Sequence, residues 1–174
     1  DHPALVKAAE WILCKQVVKR GDWAVKNPHA IPGGWAFEFY NELYPDCDDT
    51  AEMLMFLNRV KLPDQSRKLK ESERAMSWLL SMQCKVGGWA AFDIDNEQDL
   101  FNLFPFADHG AMLDPPTADV SGRVLWLLGR TGFKKDHPQV QIVIDFIKKK
   151  QESNGSWWGR WGVNYIYGTW LVLT

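Results

Sequence analysis

A pattern of glutamine, glycine and tryptophan, present three times, constrains the fold of this chain more than any other feature. In each copy an aromatic residue precedes Gln by five positions, and a Gly is followed two positions later by Trp. The copies are WILCKQVVKRGDW (11–23), WLLSMQCKVGGW (78–89) and FIKKKQESNGSW (146–157). Their glutamines lie 67 and 68 residues apart, at Gln16, Gln83 and Gln151. Such a period predicts repeated structural units that stack or close into a ring.

Apolar residues at helical spacing place each copy of the motif at the end of an amphipathic helix. Gly87 and Gly155 follow as helix-stop residues, and Pro3 and Pro138 suit the first turn of a helix. No stretch shows sustained strand alternation. With about two helices per repeat, the prediction is an all-α fold, part of an α/α barrel or toroid. The expected helices are 3–19, 49–58, 68–82, 117–130, 139–149 and 164–174.

The ten tryptophans indicate either repeated structural use or a cavity lined by aromatic rings. A glutamine amide both donates and accepts, so it can bind the unpaired backbone groups at a helix end. The Trp ring of each copy would cover the next helix. We therefore expect the Gln-Gly-Trp residues to hold the fold together and to take no part in chemistry.

Composition and charge exclude several classes of protein. The apolar fraction of 46% allows a real core, and a net charge of −2 lacks the basic character of a nucleic-acid binder. Cys14, Cys47 and Cys84 are too far apart for a disulfide framework or a zinc site, which favours a reducing compartment. No apolar run reaches transmembrane length. Because the chain starts without Met and ends within an apolar pattern, we expect a fragment of a longer protein.

Three carboxylates, Asp46, Asp48 and Asp49, are crowded into the stretch FYNELYPDCDDTAEML (39–54). One interpretation is a helix start, with Asp49 as the N-cap and Glu52 as its capping-box partner. A second is a Mg²⁺ site. A third is catalytic: because adjacent carboxylates cannot both ionise cheaply, one retains a proton and can act as an acid in a dry pocket.

Other stretches supply aromatic rings and further acids. WWGRWGVNYIYGTW (157–170) is dense in rings, and DPPTADV (114–120) is a rigid turn that leads two acids into a helix. Ring faces attract cations by about 0.5–2 kcal/mol and offer no lone pair that would trap a carbocation. An acid beside such rings, with no nucleophile, suits the protonation of an alkene. The phenylalanines in loops flanked by Gly or Pro are Phe37, Phe92 and Phe106.

Together these segments resemble the squalene-hopene cyclases, a family of class II triterpene cyclases. The resemblance covers nearly the whole chain. It is carried by GGWAFEFYNELYPDCDDTAE, MQCKVGGWAAFDIDN, DPPTADVSGRVL and QESNGSWWGRWGVNYIYGT, which follow one another in the order of that family. The three Gln-Gly-Trp copies resemble the family's repeated QW motifs, which brace the helices against a strongly exothermic reaction.

The resemblance implies roles for the crowded carboxylates. Asp46, Asp48 and Asp49 match the family's DxDD motif, whose middle aspartate protonates the terminal alkene of squalene. Asp48 is therefore the expected acid, with Asp46 and Asp49 as its hydrogen-bond partners. Tyr167 matches a tyrosine in the hydrogen-bond network behind the acid.

The resemblance also assigns residues to substrate and cation binding, with two departures from the family. Phe37 matches a phenylalanine that faces the early ring cations, Trp161 an aromatic near the acid and the first ring, and Phe106 an aromatic at the channel constriction. Phe92 replaces a cavity tyrosine of some members, which removes any contribution of a phenol hydroxyl. Arg123 replaces a supporting histidine, and its permanent charge would keep a neighbouring carboxylate ionised more firmly. The alternative for Arg123 is an exposed helix arginine.

The resemblance implies squalene as the substrate, hopene or hopanol as the product, and no cofactor or metal. It also implies a monotopic enzyme on the bacterial cytoplasmic membrane and a homodimer at full length. Residues 1–174 would be an internal part of one α/α-barrel catalytic domain, inactive alone. Two alternatives stay open: a class II diterpene cyclase, which uses DxDD on a prenyl diphosphate, and a non-catalytic toroid that binds a lipid or partner in its aromatic groove.

Overall fold

The computed structural model describes residues 1–38, 40–96, 113–162 and 164–174. In these ranges helices joined by irregular loops dominate, so the prediction of an all-α fold is confirmed. Two short strands, β1 (Trp35–Ala36) and β2 (Pro45–Asp46), pair antiparallel just before the second helix. The helices are α1 (Pro3–Cys14), α2 (Cys47–Arg59), α3 (Gln65–Ser81), α4 (Ala118–Arg130), α5 (Pro138–Lys149) and α6 (Asn164–Leu173).

Local signals in the sequence account for several helix boundaries. Pro3 and Pro138 occupy the first turns of α1 and α5, where a missing N–H leaves no helical hydrogen bond unmade. Gly87 and Gly155 turn the chain after α3 and α5 with φ of +109° and +87°. Because side chains with a Cβ rarely adopt this left-handed backbone, glycine suits both positions.

The prediction of a helix over 3–19 is wrong at its C-terminal end, because α1 stops earlier. The following residues bind a distant part of the chain instead. The side-chain Nε2 of Gln16 donates to the Gly33 carbonyl at 2.7 Å, and the Val17 N–H donates to the Gly34 carbonyl at 2.9 Å. A continued helix would direct the Val17 N–H to the carbonyl four residues earlier, so the two arrangements exclude each other.

The described chain divides into two compact units, Asp1–Ser81 and Met82–Thr174. In the first unit α1 and α3 pack on α2, and the buried rings of Trp23 and Trp78 meet edge to face with centroids 5.9 Å apart. In the second unit α5 and α6 pack on α4. The core of the second unit includes Trp89, Val120, Val124, Leu127 and Val143.

All three motif glutamines bind the backbone of the glycine that precedes a motif tryptophan by two residues. The distances from Nε2 to the glycine carbonyl are 2.7, 2.8 and 2.9 Å for Gln16, Gln83 and Gln151. In the first copy this glycine is Gly33 and the tryptophan is Trp35. The alignment of Gly21 and Trp23 in the copy at 11–23 is therefore corrected, because a longer loop separates Gln16 from its partners.

The motif tryptophans are attached to a following helix through their backbone N–H groups. Each N–H donates to a hydroxyl oxygen at 2.9 Å, in the pairs Trp35–Thr50, Trp89–Ser121 and Trp157–Thr169. The indole N–H groups of Trp35 and Trp157 donate to the carbonyls of Ile12 and Ile147 at 2.8 Å. These contacts satisfy carbonyls near helix ends, which supports the structural role expected for the motif.

Candidate active site

The crowded carboxylates lie where β2 passes into α2. Asp46 pairs with Trp35 across the strands and is the N-cap of α2, with an extended backbone at φ −108° and ψ 133°. Its Oδ1 accepts hydrogen bonds from the backbone N–H groups of Asp48 at 2.6 Å and Asp49 at 3.0 Å. The prediction of Asp49 as the N-cap is wrong, because the strand brings Asp46 to the helix start and Asp49 falls within the first turn.

Burial dominates the electrostatics of Asp46, which is 7% exposed. Loss of hydration raises the pKa of Asp46 well above its ordinary value, and the charges of Asp49 and Asp48 raise it further. The two backbone hydrogen bonds act in the opposite direction because they stabilise the ionised form. Since the net direction is upward, Asp46 retains a proton more readily than an isolated carboxyl group does. Asp48 and Asp49 are half-buried.

A cavity of about 180 Å³ in the first unit adjoins this cluster. Asp49 and Phe37 both line it, so the structure brings the predicted aromatic residue together with one of the predicted acids. Phe37 is 75% exposed, which leaves its ring accessible within the described part of the chain. The other residues of the lining combine aromatic and apolar groups with charged ones: Trp11, Lys15, Val17, Trp35, Ala36, Glu38, Glu42 and Met53.

In the second unit the predicted residues Arg123 and Tyr167 contact each other. Arg123, in α4, is 5% exposed, and its Nη2 donates to the Tyr167 hydroxyl of α6 at 2.5 Å. The interpretation of Arg123 as an exposed helix arginine is therefore wrong.

Gly122 allows α4 and α6 to approach each other closely, because a Cβ at this position would lie 2.8 Å from the Leu171 carbonyl oxygen.

Phe92 and Trp161 form a second contact between predicted residues. Their rings meet edge to face, with centroids 6.0 Å apart and planes at 90°. A buried carboxylate holds the backbone beside each ring: the Phe92 N–H donates to Asp114 Oδ2 at 2.8 Å, and the Trp161 N–H donates to Asp119 Oδ2 at 3.0 Å. Burial raises the pKa of Asp114 to about 6, although the Phe92 hydrogen bond and the charge of Arg160 act against the shift.

The sequence signal for these supporting residues is weak. The motif DPPTADV contains Asp114 and Asp119, but a turn followed by a helix start accounts for both acids locally. Nothing in the motif indicates that the acids bind Phe92 and Trp161, which lie 22 and 42 residues away from them in the chain. The sequence therefore did not predict these two contacts or the one that Arg160 makes with the Leu113 carbonyl.

The predicted site residues that the structure describes fall into two groups, one in each unit. The three aspartates and Phe37 belong to the first unit, and the remaining residues belong to the second. Phe106 lies outside the described residues. The residues of the second group are Phe92, Arg123, Trp161 and Tyr167.

Over the described ranges, no group of three or more His, Cys, Asp or Glu side chains is arranged to hold a metal ion. Cys14, Cys47 and Cys84 are free thiols. None of the helices in the described part of the chain combines the length and the apolar character needed to span a membrane.

Comparison with known proteins places this arrangement in a family. The family model of the squalene-hopene cyclase C-terminal domain matches residues 1–174. The chain is 52% identical over 168 residues to a squalene-hopene cyclase of Schizosaccharomyces japonicus, covering 96% of this chain and 25% of that protein. It is 45% identical over 174 residues to a squalene-hopene cyclase of Alicyclobacillus acidocaldarius, covering 100% of this chain and 28% of that protein.

A third relative carries a different name. The chain is 50% identical over 178 residues to a dammaradiene synthase of Dryopteris crassirhizoma, covering 97% of this chain and 26% of that protein. The chain thus spans about a quarter of the length of each of these three relatives. The family fold is an α/α barrel, in agreement with the fold predicted from the repeats. Because the family model of the C-terminal domain matches all 174 residues and the identities are this high, the chain belongs to the squalene-hopene cyclase family.

Proposed function

We propose that the protein containing this chain is a squalene cyclase, which protonates the terminal alkene of squalene and directs its polycyclisation to hopene or hopanol. The observation that carries the proposal is the family match over all 174 residues. It is supported by the carboxylate cluster at the start of α2, whose Asp49 lines a cavity together with the rings of Trp35 and Phe37. An alkene is a weak base, so its protonation requires an acid that is held out of water, and the burial of Asp46 supports such an environment.

Asp48 is the proposed proton donor, with Asp46 and Asp49 as its partners. The hydrogen bonds from the backbone of Asp48 and Asp49 to Asp46 Oδ1 fix the relative positions of the three residues. Because Asp46 is buried and carries a raised pKa, it limits the negative charge of the cluster, which helps a neighbouring carboxyl group to give up its proton. Tyr167 and Arg123 are the proposed hydrogen-bond network behind the acid.

Aromatic rings are proposed to stabilise the cations that follow protonation. Each ring face near a cation contributes about 0.5–2 kcal/mol, and more where water is excluded. A carboxylic acid supplies the proton and no electron is transferred, so the proposal includes neither a cofactor nor a metal. The proposed cation-binding residues are Phe37, Phe92, Phe106 and Trp161.

The setting of the enzyme is also a proposal. Squalene is a hydrocarbon that partitions into lipid, so an enzyme that takes it up gains from a position on a membrane surface. We place the full-length protein on one face of the bacterial cytoplasmic membrane, as a homodimer, with residues 1–174 inside one α/α-barrel catalytic domain.

The test uses the full-length protein that contains this chain, incubated with squalene and analysed by gas chromatography. We expect hopene or hopanol from the wild type, and loss of product in Asp48→Asn with an unchanged circular dichroism spectrum. Asp136→Asn, at an exposed carboxylate before α5, is the control that should retain activity. Substantial triterpene from Asp48→Asn would refute the role of this acid.

A parallel incubation with geranylgeranyl diphosphate separates the other candidates. Conversion of the diphosphate without conversion of squalene would identify a class II diterpene cyclase. Conversion of neither substrate by the folded full-length protein would favour the non-catalytic toroid.

A further inference from the structure

Two buried charged residues of the second unit have no place in the proposed proton transfer. Asp114 is 9% exposed and Arg160 is 6% exposed. A buried charge destabilises a fold unless an opposite charge or hydrogen bonds compensate it. The contacts of these two side chains converge on one feature, the ring pair formed by Phe92 and Trp161.

The two charged side chains connect residues 113–114 to the segments that carry the two rings. Asp114 Oδ2 accepts the hydrogen bond from the Phe92 N–H at 2.8 Å, and Arg160 Nη2 donates to the carbonyl of Leu113, the preceding residue, at 2.6 Å. Residues 113–114 are therefore attached to Phe92 on one side and to Arg160 on the other.

Arg160 also contacts the second ring. Its guanidinium carbon Cζ lies 5.8 Å from the centre of the Trp161 ring, within the range of a cation–π interaction. The Trp161 ring in turn meets Phe92 edge to face. These contacts form a closed ring of interactions. Phe92 binds Asp114, the neighbouring Leu113 carbonyl binds Arg160, Arg160 contacts Trp161, and the Trp161 ring contacts Phe92.

We infer that Arg160 and Asp114 are positioning residues that fix the angle and separation of the Phe92–Trp161 ring pair. Cation stabilisation by a ring depends on where its face points, so a displaced ring stabilises a nearby cation less. The negative charge of Asp114 offsets the positive charge of Arg160, so the guanidinium orients the Trp161 ring with less repulsion of a cation beside it. The effect on products rests on the proposed function, whereas the effect on the rings does not.

The experiment compares Arg160→Lys with Arg130→Lys in the full-length protein labelled with 5-fluorotryptophan. Lysine keeps the charge but lacks the planar guanidinium that stacks on a ring and binds a carbonyl. Arg130 is an exposed arginine at the end of α4 and serves as the matched control. The fluorine resonance of Trp161 is identified as the one that disappears in Trp161→Phe.

We expect Arg160→Lys to shift the Trp161 resonance and to raise the ratio of mono- and bicyclic products to pentacyclic product by about 2-fold to 30-fold. Arg130→Lys should change neither quantity. An unmoved Trp161 resonance in folded Arg160→Lys, with an unchanged product ratio, would overturn the inference. If the wild type forms no squalene product, the proposed function fails while the resonance still decides the positioning role.

A second pair of variants keeps the test decisive if Arg160→Lys does not fold. Asp114→Asn retains an oxygen that accepts the Phe92 N–H, whereas Asp114→Ala removes it. We expect Asp114→Ala to shift the Trp161 resonance further than Asp114→Asn does. If the Trp161 fluorine resonance keeps its wild-type chemical shift in both variants, the inference is contradicted.

Discussion

Arg123 and Tyr167 are joined by a hydrogen bond of 2.5 Å, from the guanidinium Nη2 to the phenol oxygen, between α4 and α6. Arg123 is buried and Tyr167 is half-buried. Because arginine stays charged in proteins, the phenol acts as the acceptor and holds a buried positive charge in place. The bond therefore links the stability of the second unit to the position of a residue in the proposed network.

Tyr167→Phe should destabilise the protein by about 1.5–3 kcal/mol, because a buried guanidinium loses a hydrogen-bond acceptor. It should also slow cyclisation, since Arg123 loses the contact that orients it. Urea denaturation of the full-length protein measures the first effect, and product formation from squalene measures the second. Tyr165→Phe, at an exposed tyrosine of the same helix, is the control. Equal stability of the two variants would show that the bond contributes nothing.

Asp46 should prove to have two separable roles. Asp46→Asn keeps a side-chain oxygen that caps α2, whereas Asp46→Ala removes the cap and should be less stable than Asp46→Asn by about 0.5–2 kcal/mol. Both variants should lose cyclisation, because neither keeps the carboxyl group next to Asp48. Thermal melts followed by circular dichroism measure the difference in stability. If Asp46→Asn and Asp46→Ala have the same melting temperature, the capping role is contradicted.

Asp114 should make the second unit less stable as the pH rises through the range in which its carboxyl group ionises. Its pKa is raised from 3.8 to about 6, so between these values the folded state binds more protons than the unfolded state. Stability therefore falls as pH rises from 4 to 6, by up to about 3 kcal/mol, and the loss is complete above pH 6. The charges that act on Asp114 are those of Arg160, which lowers the pKa, and Asp93, which raises it.

Urea denaturation of the full-length protein at several pH values checks this dependence. Asp114→Asn should remove the loss of stability between pH 4 and 6, whereas the control Asp136→Asn should leave it in place. The exposed carboxylate of Asp64 offers the opposite sign, because the backbone N–H of Arg67 lowers its pKa. Replacing the Asp64 carboxylate with an amide in Asp64→Asn should lower the free energy of unfolding only above about pH 4, where the carboxylate is ionised. A wild-type profile that rises from pH 4 to 6 and is unchanged in Asp114→Asn would contradict the prediction.

The hydroxyl of Thr50 should stabilise the first repeat through its bond to the Trp35 N–H, which is 2.9 Å long and buried. Thr50→Val removes the acceptor with little change in shape, and an unpaired buried N–H costs about 1–3 kcal/mol. Thr50→Ser keeps the hydroxyl and should be more stable than Thr50→Val. Thermal or urea denaturation distinguishes the two. Equal stability of the valine and serine variants would show that the repeated Trp–hydroxyl contact is not a determinant of the fold.

Features that depend on neighbouring residues could be predicted from the sequence. The helix over 117–130 was expected within one residue of α4, because its apolar spacing and the DPPTADV turn are both local signals. The crowding of Asp46, Asp48 and Asp49 is likewise visible in the sequence, but the raised pKa belongs to Asp46 and comes first from burial, with the neighbouring charges adding to it. A structural role for the motif glutamines was also expected, because an amide side chain can bind backbone groups at a helix end; the glycine carbonyl as their common partner was not.

Which residues meet across the chain depended on tertiary structure. Gln16 binds Gly33 although Gly21 follows it by five positions, close to the four that separate glutamine and glycine in the other copies. The reason is that the intervening loop returns the chain to the end of α1 only at residues 33–35. Asp46 caps α2 because strand pairing with Trp35 brings it there in an extended conformation. The burial of Arg123, and the contact of Arg160 with Trp161, follow from packing and from hydrogen bonds between distant residues. Helical spacing records which face of a segment is apolar, but only the folded chain determines which charged side chain that face encloses.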